Sequence, residues 1–292
     1  MSPEAAMVVT RFVLFSAVLL LAGTVLFRRA IAGPRTSDRE NHHFRQLEHG
    51  AMAGALAGLA LWLPIEAAGI GNGWVSAFDP AILGGLLFDT LLGQVWAAQV
   101  LIALAQAALT ICDRHIGPTV ALSGPLALAL CLGACGHGSG SDNPMLPVLL
   151  GLHLAAAGIW VGALPALWLS LLSAEPAEDL PDLSDTVDRF SSFAQLAVVL
   201  AITTGCISLR LISGEWPMDL SSSYRQLLLA KASLVAVLIA LALFNRFVAA
   251  PKLTSPPGSG LALLRRTVGL DIAISAAVLV LIAAIGTQSP TD

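Results

Sequence analysis

Eight apolar runs, separated by short polar, glycine-rich or proline-marked breaks, constrain this chain more than any single motif in it. They cover residues 7–27, 47–70, 93–112, 118–136, 147–172, 190–212, 225–247 and 265–286. A helix of about 20 residues crosses a hydrocarbon layer roughly 30 Å thick. Lipid offers no partner for backbone N–H and C=O groups, so runs of this kind enter a membrane as helices. The predicted fold is all-α: one transmembrane domain over residues 1–292, a polytopic bundle of eight helices. The connections are too short to hold a second domain, and no internal repeat is evident.

The few charges orient the bundle. Of 15 Lys and Arg residues, Arg28, Arg29, Arg35, Arg39, Arg45, Arg114, Arg189, Arg246, Lys252, Arg265 and Arg266 fall at one set of span ends, and Arg11, Arg210, Arg225 and Lys231 at the other. The cation-rich side is the cytoplasmic one, which places both termini and the loop between the fourth and fifth runs in the periplasm. Cations follow the first run and do not precede it, so it reads as an anchor and not as a cleaved signal. A net charge of -4 with no basic block argues against nucleic acid as a partner.

Ionisable residues within spans are costly and mark either buried pairs or function. By depth, Glu66 pairs with Lys231, and Asp271 with Arg246 or Arg265. Gly50, Gly54 and Gly58 recur on one face of the second run and predict close helix packing. His42, His43, Glu48 and His49 lie at the cytoplasmic start of that run, either as a solvated segment or as a metal exit. Cys112, Cys131, Cys135 and Cys206 form no CxxC pair and read mainly as small packing residues.

The loop between the fourth and fifth runs carries the densest chemistry. Gly133, Gly136, Gly138 and Gly140 unravel the end of one helix around His137, and Pro147 starts the next, which sinks His153 about 9 Å into the span. Met145 and Cys135 stand nearby, so the local inventory is imidazole, thioether and thiol. Such ligands suit Cu(I), and imidazole alone also suits Cu(II) or zinc. Packing histidines are the alternative.

The stretches "GHGSG" and "LHLAAAGIWVGALPALW" resemble the paired histidine signatures of the CopD (copper resistance protein D) family of bacterial inner-membrane proteins. "FDPAILGGLLFDTLLGQVW", "RFSSFA" and "YRQLLLAKASLVAVLIALALFNR" extend the resemblance over most of the chain after about residue 50. It implies a multi-pass protein that moves copper from periplasm to cytoplasm beside a separate periplasmic protein of the CopC type. His137 and His153 match the family's histidines; Trp160 and Lys231 match its recurrent Trp and Lys. Members often carry a methionine where "EAAGIGNG" stands; this chain has no sulfur there.

The expected site is therefore His137 and His153, supplemented by Met145, Cys135 or Glu66, with Trp160 and Lys231 beside it and His42, His43 and His49 at the exit. Copper, as Cu(I) or Cu(II), is the cargo. No nucleophile, phosphate loop or nucleotide motif suggests an enzyme. Two rivals from other classes are a haem-b electron carrier with His137 and His153 as axial ligands, and a copper sensor that does not transport.

Overall fold

A computed structural model describes residues 1–33, 36–112, 116–135, 143–174, 180–213, 222–253 and 259–287. Among them the regular structure is helical: α1 (Pro3–Leu26), α2 (Asp38–Ile70), α3 (Pro80–Asp89), α4 (Leu91–Cys112), α5 (Pro118–Leu132), α6 (Met145–Trp160), α7 (Leu164–Ser173), α8 (Leu180–Ser213), α9 (Ser223–Phe244) and α10 (Ser259–Ile285). Among the described residues seven helical segments are long and apolar enough to cross a membrane, α6 and α7 together counting as one. The eighth expected run is α5, which is apolar but has 15 residues. At 1.5 Å per residue that is about 22 Å, less than the hydrocarbon thickness.

Helices α2 and α8 begin about ten residues before their apolar runs. Hydropathy sees the membrane portion alone, whereas caps and charged turns carry the helix further: Ser37 and Glu40 form a capping box at the start of α2. Asp79 caps α3, a short helix within a stretch expected to be a connection.

The centre of the bundle is α1, which packs against α2, α5, α6, α7 and α10. Glycines set the closest crossings. A Cβ on Gly23 of α1 would overlap the Gly162 backbone, and one on Gly162 would overlap the carbonyl of Leu19. Gly54 and Gly58 of α2 lie against Ala17 and Leu14, whereas Gly50 touches nothing. The expected fifth span is broken: α6 ends at Trp160, residues 161–163 form a turn at the Gly162 crossing, and α7 resumes with Pro165 in its first turn. Trp96 and Trp168 tie helices together through their indole N–H groups, donating to the carbonyls of Leu59 (2.9 Å) and Arg265 (3.0 Å).

The structure also exposes a local repeat that the sequence reading missed. "LFRRAIAGPR" at the end of α1 and "LFNRFVAAPK" at the end of α9 share Leu, Phe, Arg, Ala and Pro in register. Both helices continue as a π-helical turn there, Phe27–Ala32 and Asn245–Ala249. The first turn is buried, with Phe27 edge-on to Phe44 of α2 at 5.6 Å and near Phe190 of α8 at 6.4 Å.

Candidate metal path

Three polar residues lie at matching depth. Arg11, His153 and Lys231 each stand eight residues after the first residue of α1, α6 and α9, about 12 Å along their helices. All three helices start from the end of the bundle where α10 finishes: Arg11 donates to the carbonyl of Gly286 at 2.9 Å, and Arg11, His153, Lys231 and Gly286 line one cavity. That contact places the start of α1 beside the end of α10.

His153 is fixed by α8. Its Nδ1 lies 2.8 Å from the carbonyl oxygen of Ala201, and its ring rests against Gly205 one turn on, where a Cβ would come within 3.1 Å of ring atoms. A carbonyl accepts only, so Nδ1 carries the hydrogen, and in the neutral ring the lone pair is on Nε2. That is the arrangement of a metal-ligating imidazole, one nitrogen held by a carbonyl and the other free to coordinate.

Three cavities follow one another from this end. The first, about 380 Å³, is lined by Glu4, Arg11, Trp62 and Glu66 among others. The second, about 160 Å³, is lined by Arg11, Cys135, His153, Tyr224 and Lys231. The third, about 520 Å³ and mostly apolar, is lined by His153, Trp160, Cys206, Lys231 and Ser275. Arg11 and Gly286 are the wall shared by the first two; His153 and Lys231 are shared by the second and third. Arg11 is 8% exposed, stacked 5.4 Å from the Trp62 ring and 5.7 Å from Phe15, and its Nε has no partner.

The expected site residues divide accordingly. His153, Cys135, Trp160 and Lys231 come together around the inner two cavities. Glu66 lies beyond Arg11 in the first cavity, and Met145 is 57% exposed at the first residue of α6, lining none of the three. His137 lies outside the described residues, as does Asp142. Among the described residues no three His, Cys, Asp or Glu side chains converge on one point.

Two expected ion pairs do not form. Glu66 shares its cavity with Arg11 and not with Lys231, while Asp271 accepts from Asn245 Nδ2 at 2.9 Å. Arg246 turns to Ser191 Oγ on α8 (2.6 Å) and Arg265 to the carbonyls of Leu171 (2.7 Å) and Ala174 (3.1 Å). Depth alone could not choose partners, because it ignores the direction in which each helix face points. At the opposite end of the bundle His42 and His49 are exposed, His43 is half-buried, and Glu48 is engaged by Arg28 at 2.7 Å. These histidines line no described cavity. Arg11 is the residue whose importance sequence reasoning missed, although a cation in the third turn of an apolar helix was a visible signal.

Comparison with known proteins bears on this path. Residues 1–145 match the family model described as copper resistance protein D-like, N-terminal domain, and residues 184–285 the one described as copper resistance protein D. The chain is 26% identical to the inner membrane protein YebZ of Escherichia coli (strain K12) over 285 residues, 96% of this chain and 97% of that protein. It is 30% identical to the copper transport protein CutJ of Bacillus subtilis (strain 168) over 243 residues, 79% of this chain and 44% of that protein. With the copper resistance protein D of Pseudomonas syringae pv. tomato it shares 29% identity over 304 residues, 97% of this chain and 96% of the relative. No solved structure matches the chain.

Proposed function

The chain belongs to the copper resistance protein D family, and from that premise we propose that it carries copper across the bacterial inner membrane, from periplasm to cytoplasm. The ion is cargo, and the chain performs no covalent chemistry. The observation that carries this reading is His153: a half-buried imidazole whose Nδ1 is held by Ala201, on the wall between a small polar cavity and a large apolar one.

Electrostatics select the ion. Arg11 and Lys231 flank the small cavity, and their repulsion of a bare divalent ion is about twice that of a monovalent one at the same distance. With neutral imidazole and the Cys135 sulfur as the adjoining donors, Cu(I) fits better than Cu(II) or zinc. His137 completes the pair, with Glu66 drawing cations into the outer cavity. A small ligand set also suits release, since transport needs a site that lets its ion leave.

In this reading α5 is the eighth crossing. Gln106 near the end of α4 reaches the Ala121 carbonyl near the start of α5 (3.4 Å), while Gly133 at the end of α5 abuts Gly151 near the start of α6. The helix thus connects opposite ends of its neighbours. Eight crossings put both termini in the periplasm, where a CopC-type protein delivers copper.

The test is copper content by elemental analysis of the purified protein and of His137→Ala and His153→Ala, with copper uptake into sealed vesicles. Wild type binds and accumulates copper, and each variant loses binding. Full copper stoichiometry in both variants refutes the site; binding without accumulation refutes transport in favour of a sensor. A Soret band in the wild type would replace copper with haem.

A further inference from the structure

The two π-helical turns differ at one telling position. Each is followed by a helix whose buried acid faces it: Glu48 of α2 faces the first, Asp271 of α10 the second. Arg28 in "LFRRAIAGPR" stands where Asn245 stands in "LFNRFVAAPK". Arg28 meets Glu48 with two hydrogen bonds of 2.7 Å, donated by Nε and a terminal nitrogen to the two carboxylate oxygens. Glu48 is thereby an ordinary buried carboxylate with a bidentate cation. At the second turn the cation is gone, and an amide takes its place.

Asn245 Nδ2 donates to Asp271 Oδ2 at 2.9 Å. Asp271 is 4% exposed, and its other oxygen, Oδ1, has no donor. The amide oxygen of Asn245 is buried and also lacks a donor. Two buried acceptors without a hydrogen between them are costly, and a carboxylate with no counter-charge in a span costs more. One hydrogen resolves both. A proton on Asp271 Oδ1 removes the uncompensated charge and supplies the hydrogen that an acceptor such as Asn245 Oδ1 lacks.

Among the described residues no cation competes for that role. On α10 itself Arg265 is spent on the α7 carbonyls and Arg266 is exposed. In the turns after α9, Arg246 faces Ser191 and Lys252 is exposed. Helix α7 has no charged residue, Lys231 of α9 is fourteen residues before Asn245, about 21 Å along the axis, and Arg11 of α1 is at the far end beside Gly286.

We propose that Asp271 and Asn245 form a proton-binding site near the middle of α10, occupied in this arrangement of the helices. Ser275 lies one turn further along. Its hydroxyl is buried without a partner, and it lines the large cavity that also holds His153 and Lys231. Release is a plain deprotonation: the Asp271 O–H bond breaks, the carboxylate keeps the electron pair, and the proton leaves by way of the Ser275 hydroxyl to that cavity. Resting on the transport reading, this makes the proton the ion that moves as copper moves.

Infrared spectroscopy of the intact protein in liposomes at neutral pH tests the site without copper. The wild type should show a protonated-carboxyl C=O band that shifts in D2O, vanishes entirely in Asp271→Asn and moves in frequency in Asn245→Leu. Absence of the band in the wild type, or its persistence unchanged in Asp271→Asn, overturns the proposal; so does loss of the band when sodium replaces potassium at fixed pH, which would mark a metal-cation site. The wild-type and D2O measurements stand even if a variant does not fold. Copper-loaded vesicles with an internal pH dye then read coupling: a copper-driven pH change in wild type, lost in Asp271→Asn, is expected. Copper uptake with no pH change in the wild type overturns coupling alone, and absent uptake tells against the transport reading while leaving the infrared result intact.

Discussion

His153 and Ala201 are joined across α6 and α8 by a 2.8 Å hydrogen bond whose acceptor is a helix carbonyl, so the imidazole is aimed by a neighbouring backbone and not by its own helix. The ring lies against Gly205, where any side chain would intrude. Gly205→Ala should therefore push the ring and weaken copper binding without removing a donor. Elemental analysis and a copper titration check this; unchanged affinity would show that the ring's position is immaterial.

Arg11 is held by the Gly286 carbonyl and by the faces of Trp62 and Phe15. A Cβ at position 286 would collide with the guanidinium. Gly286→Val should displace Arg11 and join the outer cavity to the inner one. We expect faster labelling of Cys135 by a small, membrane-impermeant thiol reagent than in the wild type, and an unchanged rate would rule out Arg11 as the barrier.

In the Arg28–Glu48 pair the carboxylate is buried at 2% side-chain exposure and the guanidinium is nearly so at 10%. Breaking such a pair leaves an uncompensated charge, at a cost of about 3–5 kcal/mol. Arg28→Met and Glu48→Met should each lower the unfolding midpoint sharply, while the double variant recovers much of the loss. Additive losses in a double-mutant cycle would count against the pair.

The glycine stripe on α2 splits by position. Gly58 has Leu14 Cβ at 2.8 Å from where its own Cβ would be, whereas Gly50 has nothing within 4 Å. Gly58→Ala should destabilise the α1–α2 contact. Gly50→Ala should be neutral or stabilising by up to about 1 kcal/mol through helix propensity. Thermal unfolding of the two variants in detergent reads the contrast directly, and equal shifts would contradict it.

Reading the residues in order recovers seven membrane-length helices and their membrane character, because hydrophobicity is a local property and caps such as Ser37 with Glu40 are local too. It also points to His153, Trp160 and Lys231, which do lie around one cavity. It fails on pairing. Depth pairs Glu66 and Asp271 with cations, yet Glu66 shares a cavity with Arg11 and Asp271 takes an amide. The break between α6 and α7 has a local signal in Gly162 and Pro165, but the close crossing of α1 at Gly162 is visible only in the structure.

What the amino-acid sequence determined by itself was that this chain lies in a membrane as helices, and which side chains are expensive to keep there. Hydrocarbon imposes both, and neither depends on which helix neighbours which. The tertiary structure alone decided who faces whom: Arg11 as the wall between two cavities, His153 turned by Ala201, and Asp271 opposite Asn245 where the matching turn places arginine opposite glutamate. Those relationships arise from glycine-set crossing points and π-helical turns, which fix the rotation of each helix about its axis, a quantity that no local property of the sequence encodes.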